Sequence, residues 1–349
     1  MAMATVTIMG GGVFGLALAW VCTQRGARVQ VVERRHIGAG ASGGLVGALA
    51  PHVPENWNPK KAFQFDALIM AEGFWAEVAA ASGQDPGYAR LGRLQPLPPE
   101  GTDLARARAT SAQALWQGQA SWSVRPAADV CGLVPHSASG LVIHDTLSAR
   151  LHPRQALRAL AGAVTAHGGT VIERAEAAPR TAGPVIWANG HEGLGDLSVA
   201  LGRRMGAGVK GQALRLALAA PHSPQVFAEG LHIVPHADGT VAIGSTSERE
   251  FDHPDTTDAQ CDALLDRARA ICPALAGAPV LERWAGVRPR ARSRAPMLGE
   301  WPGRPGHFIF NGGFKIGFAV APLLAQVMAD LVLDGAERIP EGFRVADNL

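Results

Sequence analysis

The sequence predicts an α/β protein, α+β overall, with a Rossmann-like nucleotide-binding domain built from discontinuous segments and a smaller domain of mixed, mostly antiparallel sheet. Three observations predict it. The run Thr5-Val6-Thr7-Ile8-Met9 reads as a buried strand and passes straight into Gly10-Gly11-Gly12-Val13-Phe14-Gly15, followed by an apolar helical pattern. Short strands ending in small residues return much later in the chain, so the first domain is left and re-entered. Between residues 209 and 284 the pattern changes to period-two alternation with a tight turn, which belongs to antiparallel sheet.

Gly10, Gly12 and Gly15 hold the three glycine positions that the phosphates of a dinucleotide require. They allow a tight turn, a close backbone approach and free N–H groups at a helix N-terminus. Leu16, Ala19 and Trp20 continue the helix toward a stop near Gly26, and residues 28–33 form a second buried strand ending in Glu33. An acid there, about 20 residues past the glycines, is placed to accept hydrogen bonds from a ribose. A carboxylate at this strand end favours an adenosine without a 2′-phosphate. Next come Ser42, Gly43, Gly44, Leu45 and Gly47 in a stretch of small residues from Ile37 to Ala48. Such a second cradle suits a longer cofactor lying extended across the C-terminal edge of the sheet, or else a surface loop.

Residues 61–82 carry Phe65, Leu68, Ile69, Phe74, Trp75 and Val78 at helical spacing. From 83 to 99 the chain turns rich in proline and glycine, a passage out of the first domain. Another helix is expected over 104–117, with Trp116 and Trp122 as core or lid residues. Pro153 opens a helix running to about His167, strands follow at 170–173 and 184–188, and the second ends in Ala188-Asn189-Gly190, a place for close approach to a ligand. In the antiparallel region, residues 231–235 pair with 241–244 across Asp238-Gly239, and 257–271 reads as a helix. The last third has Gly286-Val287-Arg288-Pro289, a strand at 307–310, the turn Asn311-Gly312-Gly313-Phe314-Lys315, and a helix over 321–333. The expected division gives 1–82, 142–205 and 285–349 to the nucleotide domain, and 83–141 and 206–284 to the other.

At 349 residues the chain suits two domains, and 47% hydrophobic against 18% charged residues describes a compact globular protein. A formal charge of +2 does not argue for nucleic acid as a partner. Cys22, Cys131, Cys261 and Cys272 have neither C-x-x-C spacing nor clustered histidines, so no metal site and no redox motif are expected. The first strand begins too near Met1 for a cleavable leader, and the apolar run from Val13 to Cys22 is too short to span a bilayer, so no transmembrane segment and a cytoplasmic location are expected.

In the order of these motifs the sequence resembles the FAD-dependent D-amino-acid oxidase superfamily. Glycine oxidases, sarcosine oxidases and the oxidoreductase domain of the bacterial tRNA-modifying methylaminomethyluridine enzyme are the members it is most similar to in feature. The resemblance covers nearly the whole chain and rests on the N-terminal glycines with Glu33, on Ser42 to Gly47, on Gly211-Gln212, and on residues 231–235 followed by Gly244-Ser245-Thr246. Gly286-Val287-Arg288-Pro289 with Pro296 and Gly299, and residues 311–315 before Ala321-Pro322, complete it.

The resemblance implies non-covalent FAD and oxidation of the C–N bond of a glycine-, sarcosine- or D-amino-acid-type amine by hydride transfer to flavin N5. The imine then hydrolyses, and oxygen or another acceptor takes the electrons. It implies FAD contacts at Gly10, Gly12, Val13, Phe14, Gly15, Glu33, Arg34, Ser42, Gly43, Gly44, Leu45, Gly47, Ala188, Gly190, Gly312, Gly313, Phe314 and Lys315. Arg288 matches the family's carboxylate-binding arginine, and a planar guanidinium can offer two parallel hydrogen bonds. Lys315 matches a lysine that faces the same carboxylate. His232 stands where many relatives carry tyrosine, and either replaces that phenol or is a satisfied sheet histidine. The alternatives are a tRNA-modifying oxidoreductase and a flavin-binding subunit of a heteromeric dehydrogenase; the oligomeric state stays open. Arg288, Arg290, Arg292 and Arg294 alternate, but Pro289 and Pro296 speak against a regular central strand. Three of these arginines are expected on a solvated rim; if two or more of the four reach the pocket, the substrate carries a second negative group.

Overall fold

The computed structural model describes residues 5–175 and 183–349; residues 176–182, within the second segment expected in the nucleotide domain, lie outside the described residues. Two large sheets face each other across the ligand cavity. The first has six strands in the order Met297–Glu300, His307–Asn311, Val185–Trp187, Thr5–Met9, Arg28–Val32 and Thr170–Ile172. All neighbours are parallel except the first pair. Parallel strands covered on both faces read as continuous apolar runs, which is why they were visible in the sequence.

Helix Val13–Gln24 is apolar on every side and buries all of its residues but the last, so it is a core helix rather than an amphipathic one. Its N-terminus carries no acidic residue in the first turn and no side-chain cap on Gly12. The positive end of its dipole is therefore left for a ligand. Helix Gly317–Asp334 packs beside it and Pro59–Ser82 packs in turn on Gly317–Asp334, with Trp20, Trp75 and Leu324 buried in this layer, each fully buried side chain contributing roughly 1.5–3 kcal/mol. Gly317–Asp334 is long and apolar enough to cross a membrane, but half of it is buried inside the fold and its apolar residues are spent there.

The second sheet has eight strands: Val280–Ala291, Gly206–Ala217, Thr240–Gly244, Leu231–Pro235, Gln225–Ala228, Arg93–Pro96, Leu141–Asp145 and Trp122–Pro126. Strands Leu141–Asp145 and Val280–Ala291 run across positions 142 and 285, where the expected segments meet, so a division that follows the sheets has its seams after Asp145 and after Ala291.

Two local expectations are corrected and one stands. The stretch 83–99 contains the strand Arg93–Pro96, which pairs with both Gln225–Ala228 and Leu141–Asp145. Its four residues were too few to show a period among the prolines. The doubt about a central strand at the two prolines stands: residues 280–291 form an edge strand with a register shift opposite Arg215 and Leu216, and at the edge the missing N–H of Pro289 costs no ladder bond. The last helix begins at Gly317, not at 321, and carries Pro322 inside its second turn. Trp116 and Trp122 are core residues, edge to face with centroids 6.1 Å apart.

Candidate active site

A cavity of about 710 Å³ runs between the sheets, from the glycine turn and Glu33 at one end to His232, Arg288 and Lys315 at the other. The adenosine end is made of backbone. Gly10 has φ +118°, and a Cβ there would press 2.8 Å from the Ala188 carbonyl carbon. A Cβ on Gly15 would collide with the Gly10 carbonyl oxygen, so this glycine lets the helix sit on the turn. Glu33 accepts from the Gly11 N–H and the Arg35 N–H, both at 2.8 Å, which fixes its carboxylate at the cavity wall with lone pairs to spare. Ser42 Oγ accepts from the Val13 N–H at 3.1 Å, tying the second cradle to the helix start. The N–H groups of Gly12 and Phe14 have no acceptor among the described residues.

A second helix N-terminus opens on the cavity at Gly317, after the turn that holds Gly312 at φ +79° and Phe314 at φ +44°. Asn311 clamps this turn, donating to the Gly190 carbonyl at 2.9 Å and accepting from the Gly312 N–H. Phe14 stacks on Phe310 with centroids 4.4 Å apart, and a Cβ on Gly313 would lie 2.9 Å from the Phe14 ring. The residues present fit a flavin dinucleotide: an uncapped helix start for phosphates, a fixed acid for ribose, and a long cleft floored by glycines.

Nearly all the residues expected to contact FAD line this cavity. Gly15, Gly43 and Gly312 do not line it; they lie beneath its wall, with Gly43 against the Gly38 carbonyl and Gly312 against Ala291. Arg34 lines the rim and pairs with Glu192.

The opposite end is made of side chains. Arg288 lies across Gly211, where a Cβ would sit 2.5 Å from the guanidinium carbon. Its Nη1 donates to Ser245 Oγ at 2.5 Å, and its Nη2 donates to the carbonyls of Lys210 at 3.0 Å and Thr246 at 2.7 Å. Both Nη2 hydrogens are thus spent, so this conformation presents an Nη1 hydrogen and a fixed charge rather than a free two-toothed fork. Burial lowers the Arg288 pKa to about 10, partly offset by Glu248, and the group stays charged at neutral pH.

Lys315 reaches the same end over the Phe314 ring, 5.8 Å from its centroid. Burial, then the charges of Arg288 and Arg290, lower its pKa. His232 is half-buried; desolvation, then Arg93 and Lys315, push its pKa down to about 3. Gln225 donates its amide hydrogens to the carbonyls of Leu49 and Ala149, so its Oε1 accepts from His232 Nδ1, 3.3 Å away. That assigns the tautomer: Nδ1 carries the proton, and Nε2 keeps a lone pair.

Of the four alternating arginines, only Arg288 lines the cavity. Arg290 stacks on the far side of this end, 5.6 Å from the Phe314 centroid; Arg292 donates to the Asn348 carbonyl at 3.2 Å, and Arg294 lies in a turn at φ +64°. Sequence reasoning missed Trp284 and Phe227 in the wall. Trp284 lies against Gly286, two residues on along its strand, and against Gly44; a tryptophan and a glycine two apart in a strand share a face, which was the available signal. Phe227 had none.

A family model described as FAD dependent oxidoreductase (DAO) matches residues 5–331. The glycine oxidase of Geobacillus kaustophilus is 29% identical over 94% of this chain and 92% of its own length. A putative thiamine biosynthesis oxidoreductase, ThiO, of Rhizobium etli is 29% identical over 94% of this chain and 96% of its own. The crystal structure of the Geobacillus glycine oxidase superposes with a TM-score of 0.82 over 98% of this chain and 99% of that one, at 23% identity.

Proposed function

The chain belongs to the DAO family of FAD-dependent oxidoreductases, and from that premise we propose that its substrate is glycine or a small N-substituted or D-amino acid, held by its carboxylate while the C–N bond is oxidised. It is an FAD-dependent enzyme acting on small amines. The observation that carries the substrate reading is the meeting of Arg288 and Lys315 at the end of the cavity opposite the glycine turn and Glu33.

Bound FAD supplies the oxidant, taking a hydride from the carbon beside the nitrogen. What remains for the chain is binding and orientation. The uncapped start of helix Val13–Gln24 would hold the pyrophosphate, Glu33 the ribose, and the turns at Ser42 to Gly47 and Gly312 to Phe314 the ring system. Arg288 and Lys315 fix the substrate carboxylate by charge and by single hydrogen bonds from Nη1 and Nζ. His232 accepts a hydrogen bond from the amine at Nε2. With a pKa near 3 it does not retain a proton at neutral pH, so it orients the neutral amine and the proton released passes to water. The imine then hydrolyses, and oxygen or another acceptor takes up the electrons.

The test is anaerobic bleaching of the flavin by glycine, sarcosine and D-alanine beside methylamine and dimethylamine, which lack the carboxylate. Bleaching by the carboxylated amines alone is expected. Equal bleaching by methylamine, or none by any of them, overturns the reading.

A further inference from the structure

Behind His232, Phe227 and Lys315 lies a second chamber of about 170 Å³, and these residues with Ala48 line both it and the main cavity. Arg93 lines it. This residue is 5% exposed and sits opposite Asp145 in the ladder between strands Arg93–Pro96 and Leu141–Asp145. Its Nε donates to Asp145 Oδ2 at 2.8 Å, and Asp145 turns its other oxygen to the Ser148 N–H. Phe227 covers the guanidinium, 5.5 Å from ring centroid to Cζ.

One edge of Arg93 is therefore anchored, while both terminal nitrogens have no acceptor among the described residues and reach open chamber rather than packed protein. Such donors, accessible from the chamber, are free to meet the acceptor of a ligand. The far wall does not serve them. Gln64 spends its amide on the Ala50 carbonyl and its oxygen on His52. No carboxylate lines the chamber, and the positive charge there already depresses His232, and Lys315 feels Arg288 and Arg290.

A glycine-type substrate brings one carboxylate, which Arg288 and Lys315 take. We propose that the preferred substrate carries a second anionic group, a carboxylate on a short arm, which enters the chamber and pairs with the free face of Arg93. The inference rests on the carboxylated-amine reading above. It assigns the substrate class as diacid amines, with Arg93 as the residue that selects them. It also relocates an expectation from the sequence: the second cation comes from a distant strand, not from the arginines that follow Arg288.

The rival is a purely structural Arg93 that joins two strands through Asp145. Flavin-loaded full-length enzyme distinguishes them with two matched pairs: iminodiacetate against sarcosine as substrates, and diglycolate against methoxyacetate as ligands that cannot be oxidised, read by perturbation of the flavin spectrum. The expected result is a preference of at least about tenfold for the diacid of each pair, in kcat/KM and in Kd. Arg93→Gln collapses both ratios toward one, and Arg93→Lys retains part of them. A structural arginine lowers both members of a pair together and leaves the ratios intact, which overturns the proposal, as does a wild-type ratio near one. If Arg93→Gln does not fold, Arg93→Lys and the wild-type ratios decide. Bleaching by sarcosine with no diacid preference sinks this inference alone; no bleaching by any carboxylated amine sinks the reading beneath it.

Discussion

The two ends of the cavity are built on opposite principles. At the glycine-turn end the cavity wall is mostly main chain: Gly10, Gly12, the helix start and the Ser42 to Gly47 cradle come from the first stretch of the chain, and the side chains of Glu33 and Ser42 are held there by backbone N–H groups. At the opposite end it is made of charged and aromatic side chains carried by strands Arg93–Pro96, Leu231–Pro235 and Val280–Ala291 and by the turn before helix Gly317–Asp334. A backbone site tolerates no added atom. A side-chain site tolerates exchange of its parts, and there a family can change substrate without changing fold.

An effect that separates the ends is therefore expected from one methyl group. Gly15→Ala drives a Cβ into the Gly10 carbonyl oxygen, and overpacking of this kind costs about 1–3 kcal/mol at a turn the ligand depends on. We expect a folded protein that binds FAD at least about tenfold more weakly, since 1.4 kcal/mol is tenfold in affinity, and that purifies with less flavin than the parent. The ratio of absorbance at the flavin band to that of protein, with far-ultraviolet circular dichroism for the fold, measures it. Gly73→Ala, in helix Pro59–Ser82 with open space around it, is the control and should keep its flavin. Full flavin content in Gly15→Ala would break the contrast.

The same contrast explains what was legible. Strand, glycine turn, helix, strand and acid lie in one contiguous segment, so spacing alone located Gly10, Gly15 and Glu33. Motif order extended the ligand to FAD and singled out Arg288 and Lys315, which the fold brings to one cavity. How Arg288 acts was not legible: that its Nη2 is consumed by the carbonyls of Lys210 and Thr246 follows from the fold around Gly211, which no local pattern encodes. Arg93 was harder still. Its strand is short, flanked by prolines, and gains its place only from partners far along the chain, Gln225–Ala228 and Leu141–Asp145. Local sequence carries period and turn chemistry, and the register between distant strands lies outside it.

A second effect, read in turnover rather than in flavin binding, probes the opposite end alone. Arg288→Ala should lower kcat/KM for carboxylated amines by roughly 10²–10³, the loss of charge-assisted bonds, chiefly through KM and with FAD retained. The variant should also melt earlier, because the Lys210 and Thr246 carbonyls and Ser245 lose their donor. Loss of flavin with unchanged substrate affinity in the remaining holoenzyme would mean that the two ends are not separable.

The smallest expected effect lies in the pH profile and sharpens the division of labour among the side chains. Lys315 acts as a cation, so activity depending on it is full below its folded pKa and is lost as pH rises through it. That pKa is lowered from 10.5 by burial and by Arg288 and Arg290, and the alkaline limb of kcat/KM should therefore begin below the range of an ordinary lysine. The substrate amine gives a limb of opposite sign, because it reacts neutral and gains as pH rises. His232, held near 3, contributes no limb between pH 5 and 8. Lys315→Met should remove the alkaline limb and lower the plateau about tenfold, leaving the ascending limb in place. If the alkaline limb survives in Lys315→Met, the titrating cation is another group and Arg288 alone holds the carboxylate. If an ascending limb near pH 6.5 disappears in His232→Gln, His232 titrates as a base, and its role as a neutral acceptor fails.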